Sequence, residues 1–199
     1  MSEFVRVLAV GGLLLAAGIS GAQSRDAART REPRPNAPFY VTTPFGVIYK
    51  THARETVDYP RKVSPGTIIV NTTERYLYYV LGSGQALRYT IGVGKEGYSW
   101  AGTSTISAKR EWPDWSPTPN IRKRQPDLPA HMKGGDQNPL GARALYLGDT
   151  LYRIHGTNEP MSIGKNASSG CIRMLNQDVI ELYRRAPVGT RVVVMAEGW

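Results

Sequence analysis

The sequence has 199 residues, 41 % hydrophobic and 21 % charged, with 21 glycines, 14 prolines and one cysteine. That length carries one domain with a real hydrophobic core, and the wealth of Gly and Pro over helix-length periodic runs argues against a helical bundle and for β structure. The net charge of +9 favours anionic partners (wall polymer, lipid or nucleic acid), and a single cysteine excludes an intramolecular disulfide.

Taken in chain order, Arg6 precedes an apolar run from Val7 to Ile19, and Ser20-Gly21-Ala22 offers small residues for cleavage. This is the pattern of a secretory signal peptide over 1–22. The run is shorter than the ~20 residues that span a bilayer; an uncleaved N-terminal anchor is the alternative. No cysteine follows the run, which excludes a lipid-anchored lipoprotein. Export to the periplasm, with cleavage near Ala22, removes nucleic acid as a partner. It also leaves Cys171 in an oxidising compartment, where a lone thiol is either buried or used. Residues 23–62 read as a basic, Pro-rich linker followed by an extended arm over 41–62, and 63–199 as the folded domain.

Strands are expected at Thr67–Asn71 and Arg75–Val80, then, after the turn Leu81-Gly-Ser-Gly84, over Gln85–Val93 and at Thr103–Lys109. From Trp112 to Pro129 five prolines predict a long ordered loop without regular structure. Arg143–Leu147 and Thr150–Ile154 are strands joined by the two-residue turn Gly148-Asp149. Beyond Cys171 the period changes: Leu175, Val179, Leu182 and Tyr183 share one helix face, with Asn176 as N-cap, Asp178 in the first turn and Pro187 as the stop. Arg191–Met195 closes as a buried strand. The fold class is mainly β, a sandwich with one or two short helices.

The segment from Ile154 to Met174, IHGTNEPMSIGKNASSGCIRM, runs from the end of a strand to the start of a helix. His155 is held by the strand, and Cys171 follows a loop of small residues in which Gly170 permits a tight turn. A thiol that attacks an amide needs a base, and His is its usual partner. It needs backbone N–H groups for the developing oxyanion, which the Ser169-Gly170-Cys171 turn can supply. Something must also orient the imidazole; no acidic residue stands in place for this, and a backbone carbonyl can serve instead. Arg173 either lowers the thiol pKa or holds a substrate carboxylate. His52, His131 and His155 show no metal-ligand spacing, so neither metal nor cofactor is expected. No G-x-S-x-G elbow points to a serine nucleophile. His52 and His131 read as solvated loop residues.

His155-Gly156-Thr157 followed by Ser168-Ser169-Gly170-Cys171-Ile172-Arg173-Met174 closely resembles the signature of the YkuD-type L,D-transpeptidases. Pro65–Asn71 with Leu77-Tyr78-Tyr79, Gly92-Val93-Gly94 and Asn138–Ala142 resemble its opening strands, third strand and substrate-side loop. The resemblance covers about 60–196. It implies Cys171 as nucleophile, His155 as general base and then acid, and the Gly156 carbonyl as the group that orients His155. By the same resemblance the amides of Ser169, Gly170 and Cys171 would form the oxyanion hole, and Arg173, Thr157 and Asn138 would bind substrate. Many relatives carry a second histidine where this chain has Ser169, so only the backbone role carries over there. The implied reaction joins peptidoglycan stem peptides through 3–3 cross-links, with sensitivity to carbapenem-type inhibitors. Same-site alternatives are hydrolysis and attachment of an outer-membrane protein; a non-catalytic wall-binding module is the reading of another class.

Overall fold

The computed structural model describes residues 39–42, 48–51, 54–95 and 100–196; the expected signal peptide, most of the Pro-rich linker and His52 lie outside them. Strands β1 (Phe39–Thr42) and β2 (Ile48–Thr51) pair antiparallel with each other. The chain then runs through β3 (Glu55–Asp58), β4 (Ile68–Asn71), β5 (Tyr76–Gly82), β6 (Gln85–Thr90), β7 (Val93–Gly94) and β8 (Gly102–Glu111). Helix α1 (Pro119–Arg124), β9 (Arg143–Leu147), β10 (Arg153–His155), β11 (Asn166–Ser168), β12 (Ile172–Arg173), α2 (Asn176–Arg185) and β13 (Arg191–Met195) follow. Among the described residues the architecture is mainly β with two short α-helices, as the sequence predicts.

Nine strands form one mixed sheet in the order β12-β10-β9-β8-β13-β4-β5-β6-β3. The ten-residue β8 joins its halves. Thr105 and the residues before it pair with β13, whereas Ile106 onwards pairs with β9. The register slips between Ile106 and Ala108, a bulge that bends the strand and turns one half over the other. The halves therefore share one core: Ile68, Leu77 and Tyr89 meet Leu145, Leu147, Ile154 and Ile172, and α2 adds Val179 and Leu182. The free edge at β12 returns to the chain just past β6, where Gly92 and Arg173 exchange both backbone hydrogen bonds at 2.8 Å.

Four local expectations change. The proline-rich stretch contains α1, because Pro119 occupies the first helical turn, where its missing N–H costs nothing, and no proline follows until Pro126. The Gly148-Asp149 turn is a four-residue loop, Gly148–Leu151, closed by Leu147 N–H on the Tyr152 carbonyl at 3.2 Å and braced by the Thr150 hydroxyl on the Leu147 carbonyl. Gln85–Val93 divides into β6 and β7, and β7 pairs with β11 in parallel. Asn176 is not an N-cap: Leu175 holds that place without a side-chain bond, and Asn176 begins the helix. Its Oδ1 instead accepts the N–H groups of Ala142 (3.0 Å) and Thr157 (3.1 Å).

The segment read as an arm contributes β3, antiparallel to β6 at the sheet edge, and Tyr59, buried against Tyr78. Arg54 enters beneath α2, 3.7 Å from Asp178 and 3.9 Å from Glu181. Burial pushes the Asp178 carboxyl up from 3.8 to about 7 against the pull of Arg54, with Glu181 adding to the rise. The folded state thus keeps a proton that the unfolded chain has lost, and this group's contribution to stability falls as pH rises from about 4 to 7. Asp178→Asn removes that fall. Denaturant unfolding at pH 4, 5.5 and 7 should show the variant gaining stability relative to wild type as pH rises, by at most about 1.4 kcal/mol per pH unit. Parallel profiles for the two proteins would rule out the raised carboxyl.

Candidate active site

Strand alternation assembles the site. β10 and β12 run parallel with Ile154 opposite Ile172 and His155 opposite Arg173. Both isoleucines are buried in the core, so His155 and Arg173 stand on the opposite face. Extending the register by one residue sets Cys171 beside Arg153 on that same face. The order there is Arg153 and His155 on one strand, Cys171 and Arg173 on the next. All four line a cavity of ≈ 470 Å³ roofed by the 115–124 segment. Arg153 was not expected from the sequence, although the period of two, counted back from His155, points to it.

The turn bearing the thiol is built by Ser168. Its buried hydroxyl donates to the Cys171 carbonyl at 2.6 Å and accepts the Gly170 N–H at 3.1 Å. Gly170 has φ +108°, a conformation that L side chains avoid. From below, β11 is held by β7, and Lys95 N–H donates to the Ser168 carbonyl at 3.0 Å. The Gly170 amide, expected in the oxyanion hole, is therefore engaged by Ser168 Oγ; the Ser169 and Cys171 amides flank it. The Ser169 hydroxyl accepts from the Arg124 guanidinium at 3.0 Å, which fastens α1 to the nucleophile turn.

His155 is 4 % exposed, and its Nδ1 lies 2.6 Å from the Gly156 carbonyl. A carbonyl only accepts, so Nδ1 carries the proton and Nε2 is left with its lone pair. Burial, foremost, and the Arg173 guanidinium push the imidazole pKa down to about 3; the backbone at Gly156 and at Leu140 opposes them and Arg153 adds to them. Burial also pushes the Cys171 thiol up, against the Arg153 and Arg173 charges. Near neutral pH the pair rests as a thiol and a neutral imidazole. The Cys171 Sγ lies 3.8 Å from the carbonyl of Leu151, which the four-residue loop brings to the site. Arg173 pairs with Glu159 at 2.8 Å.

Two expected substrate residues do not reach the cavity. Asn138 is 1 % exposed. Its Nδ2 donates to the carbonyls of Pro113, Met132 and Lys133, and its Oδ1 accepts the Leu140 N–H. No donor of its amide remains for a ligand; Asn138 braces the 113 and 132–133 segments beside the roof. Thr157 is buried, and its hydroxyl accepts the Glu159 N–H at 2.9 Å. His131 faces Asp114 at 3.4 Å on the surface. Among the described residues no three His, Cys, Asp or Glu side chains converge as a metal would require.

A bent β sheet presenting one cysteine and one buried, carbonyl-oriented histidine on a single face defines a mainly β domain with a thiol–imidazole site. The chain belongs to the YkuD family, the L,D-transpeptidase catalytic domain, whose model matches residues 65–194. It is 42 % identical over 137 residues to the probable L,D-transpeptidase ErfK/SrfK of Escherichia coli K12, covering 64 % of this chain and 43 % of that protein. The chain thus spans under half the length of that relative. A solved structure from Brucella melitensis, which carries the name probable carnitine operon oxidoreductase caia, is 46 % identical with a TM-score of 0.50, covering 74 % of this chain and 96 % of that one. An Enterococcus faecium L,D-transpeptidase shares the fold at 19 % identity and a TM-score of 0.53, covering 67 % and 50 %.

Proposed function

We propose that this chain is an exported cysteine L,D-transpeptidase that acts in the periplasm after cleavage near Ala22. One observation carries the reading: Cys171 and the Nδ1-protonated His155 share one sheet face at the floor of a cavity that also holds Arg153 and Arg173. The donor is a peptidoglycan tetrapeptide stem. His155 Nε2 takes the thiol proton as Cys171 Sγ attacks the carbonyl that precedes the terminal D-alanine. The oxyanion is met by the Ser169 and Cys171 amides. The C–N bond breaks, the imidazolium returns its proton to the departing D-alanine amine, and a thioester remains. An amine of a second stem attacks it, His155 takes the amine proton, the C–S bond breaks and the thiol re-forms. A 3–3 cross-link results.

The stem is anionic, and this links binding to base strength. Burial is the main cause that holds the imidazole down, and the Arg173 and Arg153 guanidinium groups add to it; a substrate carboxylate at those cations offsets only their part.

The test uses the mature protein with tetrapeptide-rich sacculi, followed by separation and mass analysis of muropeptides. New 3–3 dimers with release of D-alanine are expected. Tripeptides alone identify a hydrolase. A stem linked to a protein amine identifies an attachment enzyme. No change in sacculi, together with no mass adduct on incubation with a carbapenem, overturns the enzymatic reading in favour of a wall-binding module.

A further inference from the structure

We propose that Asn176 is a positioning residue of the Cys171–His155 site, acting through a single peptide group: its Oδ1 holds the N–H of Thr157, and the carbonyl of that same peptide, on Gly156, receives the His155 Nδ1–H. The proposal rests on the reading of His155 as the base.

The geometry is that of a relay. In a trans peptide the N–H and C=O point in opposite directions. Asn176 Oδ1 sits 3.1 Å from the Thr157 nitrogen on one side, and His155 Nδ1 sits 2.6 Å from the Gly156 oxygen on the other. A bond to the N–H polarises the peptide and makes its carbonyl a better acceptor. It also fixes the plane in which that carbonyl points, and with it the imidazole ring. The identity of the amide oxygen is set by its partners, because both atoms that converge on it, the nitrogens of Thr157 and Ala142, are backbone donors.

A second observation is independent of those bonds. The backbone is pressed against this amide at two places where only glycine stands. A Cβ on Gly156 would lie 2.1 Å from Asn176 Oδ1, and one on Gly141 would lie 2.2 Å from it. Two loops, 141–142 and 156–157, are thus packed around one oxygen atom at the start of α2. A helix cap needs none of this, and Asn176 caps nothing.

The experiment compares Asn176→Ala and Asn176→Asp with wild type by two measurements that need no transpeptidase activity. Imidazole 15N shifts in histidine-labelled protein report the His155 tautomer, assigned by its absence in His155→Gln. Alkylation of Cys171 by iodoacetamide reports the base. In wild type, protonated Nδ1 and unprotonated Nε2 are expected. Asn176→Ala is expected to populate the Nε2–H tautomer and to slow alkylation about 10- to 100-fold. Asn176→Asp keeps an acceptor at the Thr157 N–H, so it is expected to retain the Nδ1–H tautomer and rapid alkylation, and to raise the apparent His155 pKa. A folded alanine variant with an unchanged tautomer and unchanged alkylation overturns the proposal. If that variant does not fold, the aspartate variant decides: an unmoved His155 pKa overturns it. If instead His155→Gln alkylates as fast as wild type, the reading of His155 as the base fails, whatever Asn176 does.

Discussion

Cys171→Ala is expected to abolish thioester formation, and His155→Gln to slow it by about 10²- to 10⁴-fold with the fold intact. The pH dependence separates loss of a base from a loss of packing. In wild type the imidazole, with its pKa pushed down to about 3, is already neutral across the physiological range. The thiol, pushed up by burial, is still protonated there. The acylation rate should therefore be level from about pH 5 to 8, since the base is fully available and the proton moves only during attack. Without His155 the reaction must wait for spontaneous thiolate. Its rate should then climb about tenfold per pH unit until the thiol titrates. Carbapenem acylation followed by mass spectrometry at several pH values provides the measurement. A variant profile as level as that of wild type would exclude His155 as the base.

Gly141→Ala should unfold the protein more readily than any exposed substitution. Gly141 has φ +62°, and its Cβ would stand 2.2 Å from Asn176 Oδ1, 2.3 Å from the Thr157 nitrogen and 2.7 Å from the Gly156 carbonyl carbon. Two of these three are backbone atoms, so no rotamer change relieves the clash. A loss of about 3–5 kcal/mol is expected, the range reached when strain and broken buried hydrogen bonds combine. For a chain of this size that corresponds to roughly 6–20 °C in Tm. Gly189→Ala is the control. Its φ of +90° is also unfavourable, yet nothing lies within 4 Å of the added carbon, so only backbone strain of about 1–2 kcal/mol remains. Equal losses at the two positions would show that conformation alone, and not the crowding around Asn176, sets the cost.

The parts of the molecule that could be read in advance are those governed by local pattern. β4, β5, β9 and β13 announce themselves by apolar runs between turns, and α2 by its change of period. His155, Cys171 and Arg173 stand out because their residue types and spacing match a known signature. The errors share a different cause. Proline density in 112–129 suggested an irregular loop, because the count of prolines hid their positions; six residues from Pro119 were enough for α1. The places of Asn138 and Asn176 are not legible in the sequence, because an amide side chain finds its partners by tertiary approach. Asn138 reaches a carbonyl 25 residues away and Asn176 an N–H 34 residues away. Neither pairing leaves a trace in local sequence. The Ser168 hydroxyl lies inside the recognised motif, but its hold on Gly170 is a matter of hydroxyl direction, which a string of small residues does not encode.

The way in which Ser168, Cys171 and Arg173 are held has a mechanical consequence. β11 is bound to β7, β12 to β10, and Arg173 to Gly92, all by main-chain hydrogen bonds. The roof over 115–124 is held at one end by a main-chain pair, Trp115 with Met132 at 2.8 Å in both directions, and at the other by the side-chain bond of Arg124 to Ser169. Main-chain lacing makes the floor stiff, while the α1 end of the roof, tied to it through a side chain, is the more compliant. A ligand entering the cavity can then displace the α1 end of the roof while the sulfur and the imidazole keep their alignment, so admission and the chemistry beneath it are mechanically decoupled.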